Sequence, residues 1–154
     1  MILSAVVDSS CLIVLERIGR LGILRECFDH VFAPPEVLEE FGKDLEWIEV
    51  VSPENKLLVS ALSLRLHRGE AAAIALTTEI PQAAAVLDDR KARLTANQVN
   101  IPVMGTIGMV LRAKRLGVVQ RVRPVLDDLA RCGFFLTASL RARALQLAGE
   151  AESD

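Results

Sequence analysis

Residues 83–106 read AAAVLDDRKARLTANQVNIPVMGT. The opening AAAVL is a short apolar run after Pro81 and predicts a buried strand. It delivers two adjacent aspartates, Asp88 and Asp89, to the start of a helix, DRKARLTANQ. IPVM at 101–104 predicts a second short strand, and Gly105–Thr106 leads into a helix that stops at Gly117. Strands that alternate with helices in this way imply a parallel sheet, whose neighbours need crossover connections.

The same alternation extends outward. ILSAVV at 2–7 reads as a buried strand, with Ser9 or Ser10 placed to cap a helix that runs to about Ile18 and stops at Gly19. A short helical piece over about 20–27 precedes the strand HVFA at 30–33. Pro34–Pro35 opens a helix carrying EVLEEF, which ends at Gly42. WIEVV at 47–51 is extended, and a helix covers about 55–67. A break at Arg68–Gly69 separates it from an alanine-rich helix, EAAAIALTTE, that Glu70 opens. Helices over about 122–131 and 137–148 follow, and GEAESD at 149–154 reads as a frayed acidic tail. The expected architecture is one domain over 1–148, a three-layer α/β/α fold with a mainly parallel central sheet covered on both faces. There is no internal repeat and no low-complexity linker.

A chain of 154 residues, 51% hydrophobic and 25% charged, is long enough to bury a core in one globular domain. No apolar run approaches the roughly 20 residues of a membrane span. MILSAVVDSS has no basic leader, so it reads as a strand and not a signal peptide. Cys11, Cys27 and Cys132 are isolated, and neither His30 nor His67 stands near one, which argues against zinc and suits a reducing cytoplasm. Net charge is −2, yet residues 1–60 hold 5 basic and 11 acidic side chains while residues 61–154 hold 13 and 9. That asymmetry suits a metal cluster beside a phosphate-binding rim, or a set of amphipathic helices with solvated arginines.

Ligands of such sheets bind beyond the C-terminal strand ends. Asp8 and the pair Asp88–Asp89 fall at such ends. Asp8 is a ligand-facing carboxylate or a helix cap. Adjacent Asp88 and Asp89 repel unless a cation compensates, and one of them can cap the next helix. Arg90, Lys91 and Arg93 are at hand to supply part of the compensation and to contact phosphate. On the helix 35–41, Val37, Leu38 and Phe41 share a face, Glu36 and Glu39 lie nearly opposite, and Glu40 sits on the border, able to reach inward or to stay solvated. Glu70 shares a face with Ile74, or simply favours the helix dipole from the first turn. Thr106 is a helix cap or a donor to a metal-bound water or phosphate. His67 reads as a solvated side chain. A carboxylate-only cluster of Asp8, Glu40, Glu70, Asp88 and Asp89 would suit a hard ion such as Mg²⁺ or Mn²⁺. No P-loop, no G-x-G-x-x-G and no Ser–His pairing appears.

In order, VVDSSCLIVLERIGRL, PPEVLEEF, LHRGEAAAIALTTE, AVLDDRKAR and VMGTIGMVLRAKRLGVV resemble the PIN-domain superfamily. The likeness extends to RPVLDDLARCGFFLTASL and is greatest to prokaryotic VapC-like toxins with GEA-x-AIAL and DDR-x-AR signatures. It implies a metal-dependent ribonuclease paired with a small antitoxin. The apolar helices LGILRECF and LLVSALSLRL leave room for a hydrophobic groove or a homodimer seam, so a dimer is expected. Asp8 matches the first acid of the family, Glu40 the second, and Asp88 or Asp89 the fourth. Glu70 stands where many PIN toxins place an aspartate, a departure from the commoner pattern. Ser9, Thr106, Arg90, Lys91 and Arg93 are then residues behind the metal or against the phosphate. Rival readings are a PIN-fold binding module without catalysis and a receiver-like phosphoacceptor domain. The latter wants its acidic pair early and a late lysine at a strand end, and here the pair comes late.

Overall fold

The computed structural model describes residues 1–151. Five strands, β1 (Ser4–Val7), β2 (His30–Ala33), β3 (Ile48–Val50), β4 (Ala83–Val86) and β5 (Val103–Met104), form one parallel sheet in the order β3-β2-β1-β4-β5. The helices are α1 (Ser9–Arg17), α2 (Gly22–Cys27), α3 (Pro35–Phe41), α4 (Lys56–Leu62), α5 (Arg68–Glu79), α6 (Arg90–Gln98), α7 (Thr106–Arg115), α8 (Arg123–Arg131) and α9 (Ala138–Leu147). Alternate residues of each strand serve opposite faces. Ala5, Val7, Val31 and Ala33 pack under α1, α2, α3 and the C-terminal helices, while Val6, Ala83 and Ala85 pack under α4, α5 and α6. Three layers result, as the alternation of elements implied.

Small side chains let α5 lie close to the sheet. Ala71, Ala72, Ala73 and Ala75 are wholly buried, and Thr77 sends its hydroxyl back to the Ala73 carbonyl at 2.7 Å, so its buried oxygen is satisfied. Gly42 ends α3 in the left-handed conformation, φ 91°.

Several boundaries differ from the sequence reading. Asp8, with extended backbone, caps α1 in place of Ser9 or Ser10. The helix expected over 55–67 stops at Leu62, where Ser63 bonds back to the Val59 carbonyl. The next helix starts at Arg68, not Glu70, because His67 caps it. β5 is two residues long instead of four; Pro102 before it has no N–H to donate. In LGILRECF the apolar residues Ile23, Leu24, Cys27 and Phe28 are core residues. In LLVSALSLRL, by contrast, Leu57 and Leu64 are exposed.

Fraying from residue 149 does not hold at Glu150. Its carboxylate accepts from Lys114 Nζ and the Val122 N–H, both at 2.7 Å, and its carbonyl accepts from Arg123 Nη2 at 2.9 Å. Residues 152–154 of the expected tail lie outside the described residues.

The basic stretch 90–143 is largely internal in its bonding. Arg112 donates to the carbonyls of Cys27 and Ile2 and stacks on Phe28. Arg131 pairs with Asp128 and Arg141 with Asp127. Next to the expected acids, the cations Arg90, Lys91 and Arg93 of α6 enter no such pair among the described residues.

Candidate functional site

Strand register brings the first acids together. Val7 is level with Val86, so Asp8 leaves β1 beside Leu87, one residue from Asp88. Between β1 and β4 the strand order reverses direction, and at that switch point a crevice opens beyond the C-terminal ends. α3, which follows β2, brings Glu40 to this edge. α5, packed on β1 and β4, brings Glu70 in its first turn.

Most of the acids are also tied to helix starts. Asp8 is only 4% exposed, and its Oδ1 accepts from Ser9 N at 2.7 Å and Ser9 Oγ at 3.4 Å. Glu70 Oε1 accepts from His67 N at 3.2 Å, while His67 Nδ1 accepts from Gly69 N at 3.4 Å, a reciprocal capping box. Asp89 Oδ2 accepts from Ala92 N at 2.9 Å and caps α6. Asp88 takes both Thr106 donors, N–H at 2.7 Å and hydroxyl at 2.6 Å, at the start of α7. Four helix N-termini, with their positive dipole ends, therefore face the acids. In the sequence a helix-start role (a cap for Asp8 and Asp89, the dipole for Glu70) and a place in the site are alternatives; here the same carboxylates stand at the helix starts and at the crevice.

Glu40 is the acid without a helix N–H. Its Oε2 lies 3.6 Å from His67 Nδ1, and a β-carbon added at Gly69 would come within 3.5 Å of it. Glu36, Glu39, His67 and Arg68 line the same cleft, of about 590 Å³.

Charge joins the set into one cluster. Burial raises the Asp8 carboxyl above its ordinary value; the charges of Glu40 and Asp88 raise it further, against the pull of the Ser9 bonds. Burial also raises Glu70, helped by Asp8 and Asp89 and opposed by the His67 N–H. Among the described residues no lysine or arginine pairs with any of the five. The compensation expected of Arg90, Lys91 and Arg93 is thus replaced by helix N–H groups and the Thr106 hydroxyl, which sit closer to the carboxylates. Arg90 and Lys91 are exposed at the start of α6. Arg93 turns toward Asp88 without pairing: a β-carbon at Gly105 would lie 3.1 Å from Asp88 Oδ1 and 3.5 Å from Arg93 Nη1.

Every donor in the cluster is a carboxylate oxygen, the ligand type of hard divalent ions. Asp8, Glu70 and Asp89 each keep one oxygen that accepts nothing from the described residues. No buried side-chain oxygen there lacks a partner, so the free oxygen of buried Asp8 opens on the crevice. As the side chains stand, no three His, Cys, Asp or Glu residues among those described gather closely enough to grip an ion. The donor chemistry fits Mg²⁺ or Mn²⁺, hard ions that prefer oxygen ligands.

Two neighbours of the acids hold places that the sequence reading does not assign to them. His67, which reads as solvated in the sequence, caps α5 and lies beside Glu40; the signal is the His-x-x-Glu spacing of a capping box. Cys11 lies beneath the cluster, where burial and then Asp88 drive its thiol upward, while burial takes Cys27 up to about 11. Neither supplies a thiolate at neutral pH.

No helix among the described residues is long and apolar enough to cross a membrane. No curated protein matches the chain. A family model described as a PIN domain matches residues 4–150. Together with the parallel five-stranded sheet and its acidic switch point, that match over nearly the whole length establishes that the chain belongs to the PIN-domain family, whose members are generally nucleases.

Proposed function

We propose that this PIN domain is an endoribonuclease dependent on Mg²⁺ or Mn²⁺ and that it serves as the toxin of a toxin–antitoxin pair. The observation that carries the reading is the electrostatic coupling of five acids at the switch point. Asp8, Glu40, Glu70 and Asp89 would hold the ion, with Asp88 beside them. Held by those carboxylates, a divalent ion would supply a water of lowered pKa and would offset charge on the phosphate. The chain itself supplies position. Ser9 fixes Asp8, Thr106 fixes Asp88, and the capping box fixes Glu70. Arg90, Lys91 and Arg93, which pair with no acid among the described residues, are available to the RNA backbone. Three free cysteines suit a cytoplasmic setting.

A partner able to silence such a centre would place an arginine or lysine among the carboxylates, in the position of the ion's charge. Exposed Leu57 and Leu64 offer apolar surface for that antitoxin or for a second copy. The test is cleavage of single-stranded RNA by the purified protein with Mn²⁺ or Mg²⁺. Cleavage that EDTA and Asp8→Asn both abolish is the expected result. A second reading, a PIN-fold binding module, draws on the spacing of the acids, which as it stands closes on no ion. RNA binding without cleavage in saturating Mn²⁺ would favour it.

A further inference from the structure

We propose that the groove along the β5 edge is a nucleobase-stacking subsite, in which Phe135 holds one base of a single-stranded RNA beside the acidic cluster. The proposal rests on the reading of that cluster as an RNA-cleaving centre. The groove has a volume of about 520 Å³ and an apolar wall of Met104, Ile107, Phe134, Phe135 and Leu140. Its polar members are Asp88 and Arg93. Asp88 belongs to both the groove and the acidic cluster, so the two are continuous.

Phe135 is 84% exposed at this groove. The other four phenylalanines are buried or half-buried, and the chain has no tyrosine. A single exposed apolar residue needs no explanation by itself. Here the ring lines a groove that also offers an unpaired guanidinium and runs into a cluster of carboxylates. Arg93 makes no ion pair or hydrogen bond with its side chain among the described residues. Gly105 keeps the junction open: a β-carbon there would stand 3.1 Å from Asp88 Oδ1.

The occupant has to be flat and apolar at one end and anionic where Arg93 stands. It also has to continue into a centre suited to a cation. A nucleotide in a single strand meets all three demands. Aromatic platforms beside basic groups are the general means of holding unpaired bases, which must be splayed from a helix before they stack. Arg93 presents a planar fork that matches phosphate. Phe135 is then a positioning residue that acts on binding; equal help to ground and transition states changes KM and leaves kcat alone.

The experiment uses the whole chain and an RNA single strand carrying one 2-aminopurine, read by fluorescence in EDTA and by cleavage in Mn²⁺. Phe135→Ala is expected to weaken binding roughly 5- to 150-fold, the range of alanine substitutions at stacking sites, to abolish base quenching and to raise KM at constant kcat. Phe135→Tyr should restore all three and Phe135→Leu should not. Recovery in Phe135→Leu would show mere apolar contact and overturn the stacking role. So would unchanged binding in Phe135→Ala, equal affinity for a duplex of the same sequence, or a wild type that binds no RNA. Loss of a co-purified protein partner from Phe135→Ala, with RNA binding intact, would assign the groove to that partner instead. The two readings fail separately. Mn²⁺-dependent cleavage that ignores Phe135 removes the subsite alone. Phe135-dependent quenching without cleavage removes the nuclease alone.

Discussion

Replacing Asp8 by asparagine separates the two jobs of that side chain. Asparagine caps a helix about as well as aspartate, so the Ser9 N–H keeps an acceptor where Oδ1 now stands 2.7 Å away. The charge is lost, and the charge is what burial, Glu40 and Asp88 oppose. Because the folded pKa is raised, the folded state binds the Asp8 proton more tightly than the unfolded chain does. The associated stability is complete below the unfolded pKa, about 3.9, and is lost as pH rises through the folded value. At pH 7 the wild type has lost it, and Asp8→Asn never depended on it. Asp8→Ala removes charge and cap together, the cap being worth about 1 kcal/mol. For a domain of this size that is a shift of roughly 2–4 °C. In EDTA at neutral pH, thermal unfolding should therefore rank Asp8→Asn above the wild type, with Asp8→Ala about 2–4 °C below Asp8→Asn. Acidification through the aspartate range should close the gap between Asn and wild type. Mn²⁺ at about 100 times its Kd should stabilise the wild type by roughly 2.7 kcal/mol and leave Asp8→Asn unmoved. If Asp8→Asn melts several degrees below the wild type in EDTA, the charge stabilises the fold and the repulsion argument is wrong.

Glu70→Gln keeps an acceptor for the His67 N–H but not the charge, so it should abolish Mn²⁺-dependent RNA cleavage with no loss of melting temperature at pH 7; retained cleavage would take Glu70 out of the site. Thr106→Val removes the 2.6 Å hydroxyl donor of Asp88 at a wholly buried position and should cost about 1–3 kcal/mol in urea unfolding, with Thr106→Ser close to wild type. Burial alone would raise the Glu150 carboxyl, but the donors Lys114, Val122 and Arg123 hold it below the ordinary glutamate value. Its contribution is thus present above the unfolded pKa of about 4.3 and lost as pH falls through the folded one, so Glu150→Ala should destabilise at pH 7 and converge on the wild type in acid.

The strands and helix types were legible because each has its own period or boundary: HVFA, the Pro35 helix ending at Gly42, and AAAVL all appear where the apolar pattern puts them. The acids could be ranked for the same reason. Glu40, on the border of the α3 apolar face, is the α3 acid whose charge Asp8 feels. What escaped depends on side chains that act across the fold. That His67 would cap α5 and meet Glu40 needed α3 and α5 to be neighbours. That Asp88 would be satisfied by Thr106, 18 residues away, needed β4 and β5 to be paired. The anchoring of Glu150 lay beyond any local pattern, since its donors come from α7 and the start of α8.

Four helices that point their N-termini at one crevice fix its field in the backbone, where no side-chain substitution can remove it. The acids of the crevice reverse the sign of that field. A lineage that exchanged them for neutral residues would not be left with an inert hollow. It would hold a ring of inward N–H groups, the arrangement that captures phosphate and sulfate. The scaffold thus stands a few substitutions from the opposite preference, and the carboxylates decide whether it receives cations or anions.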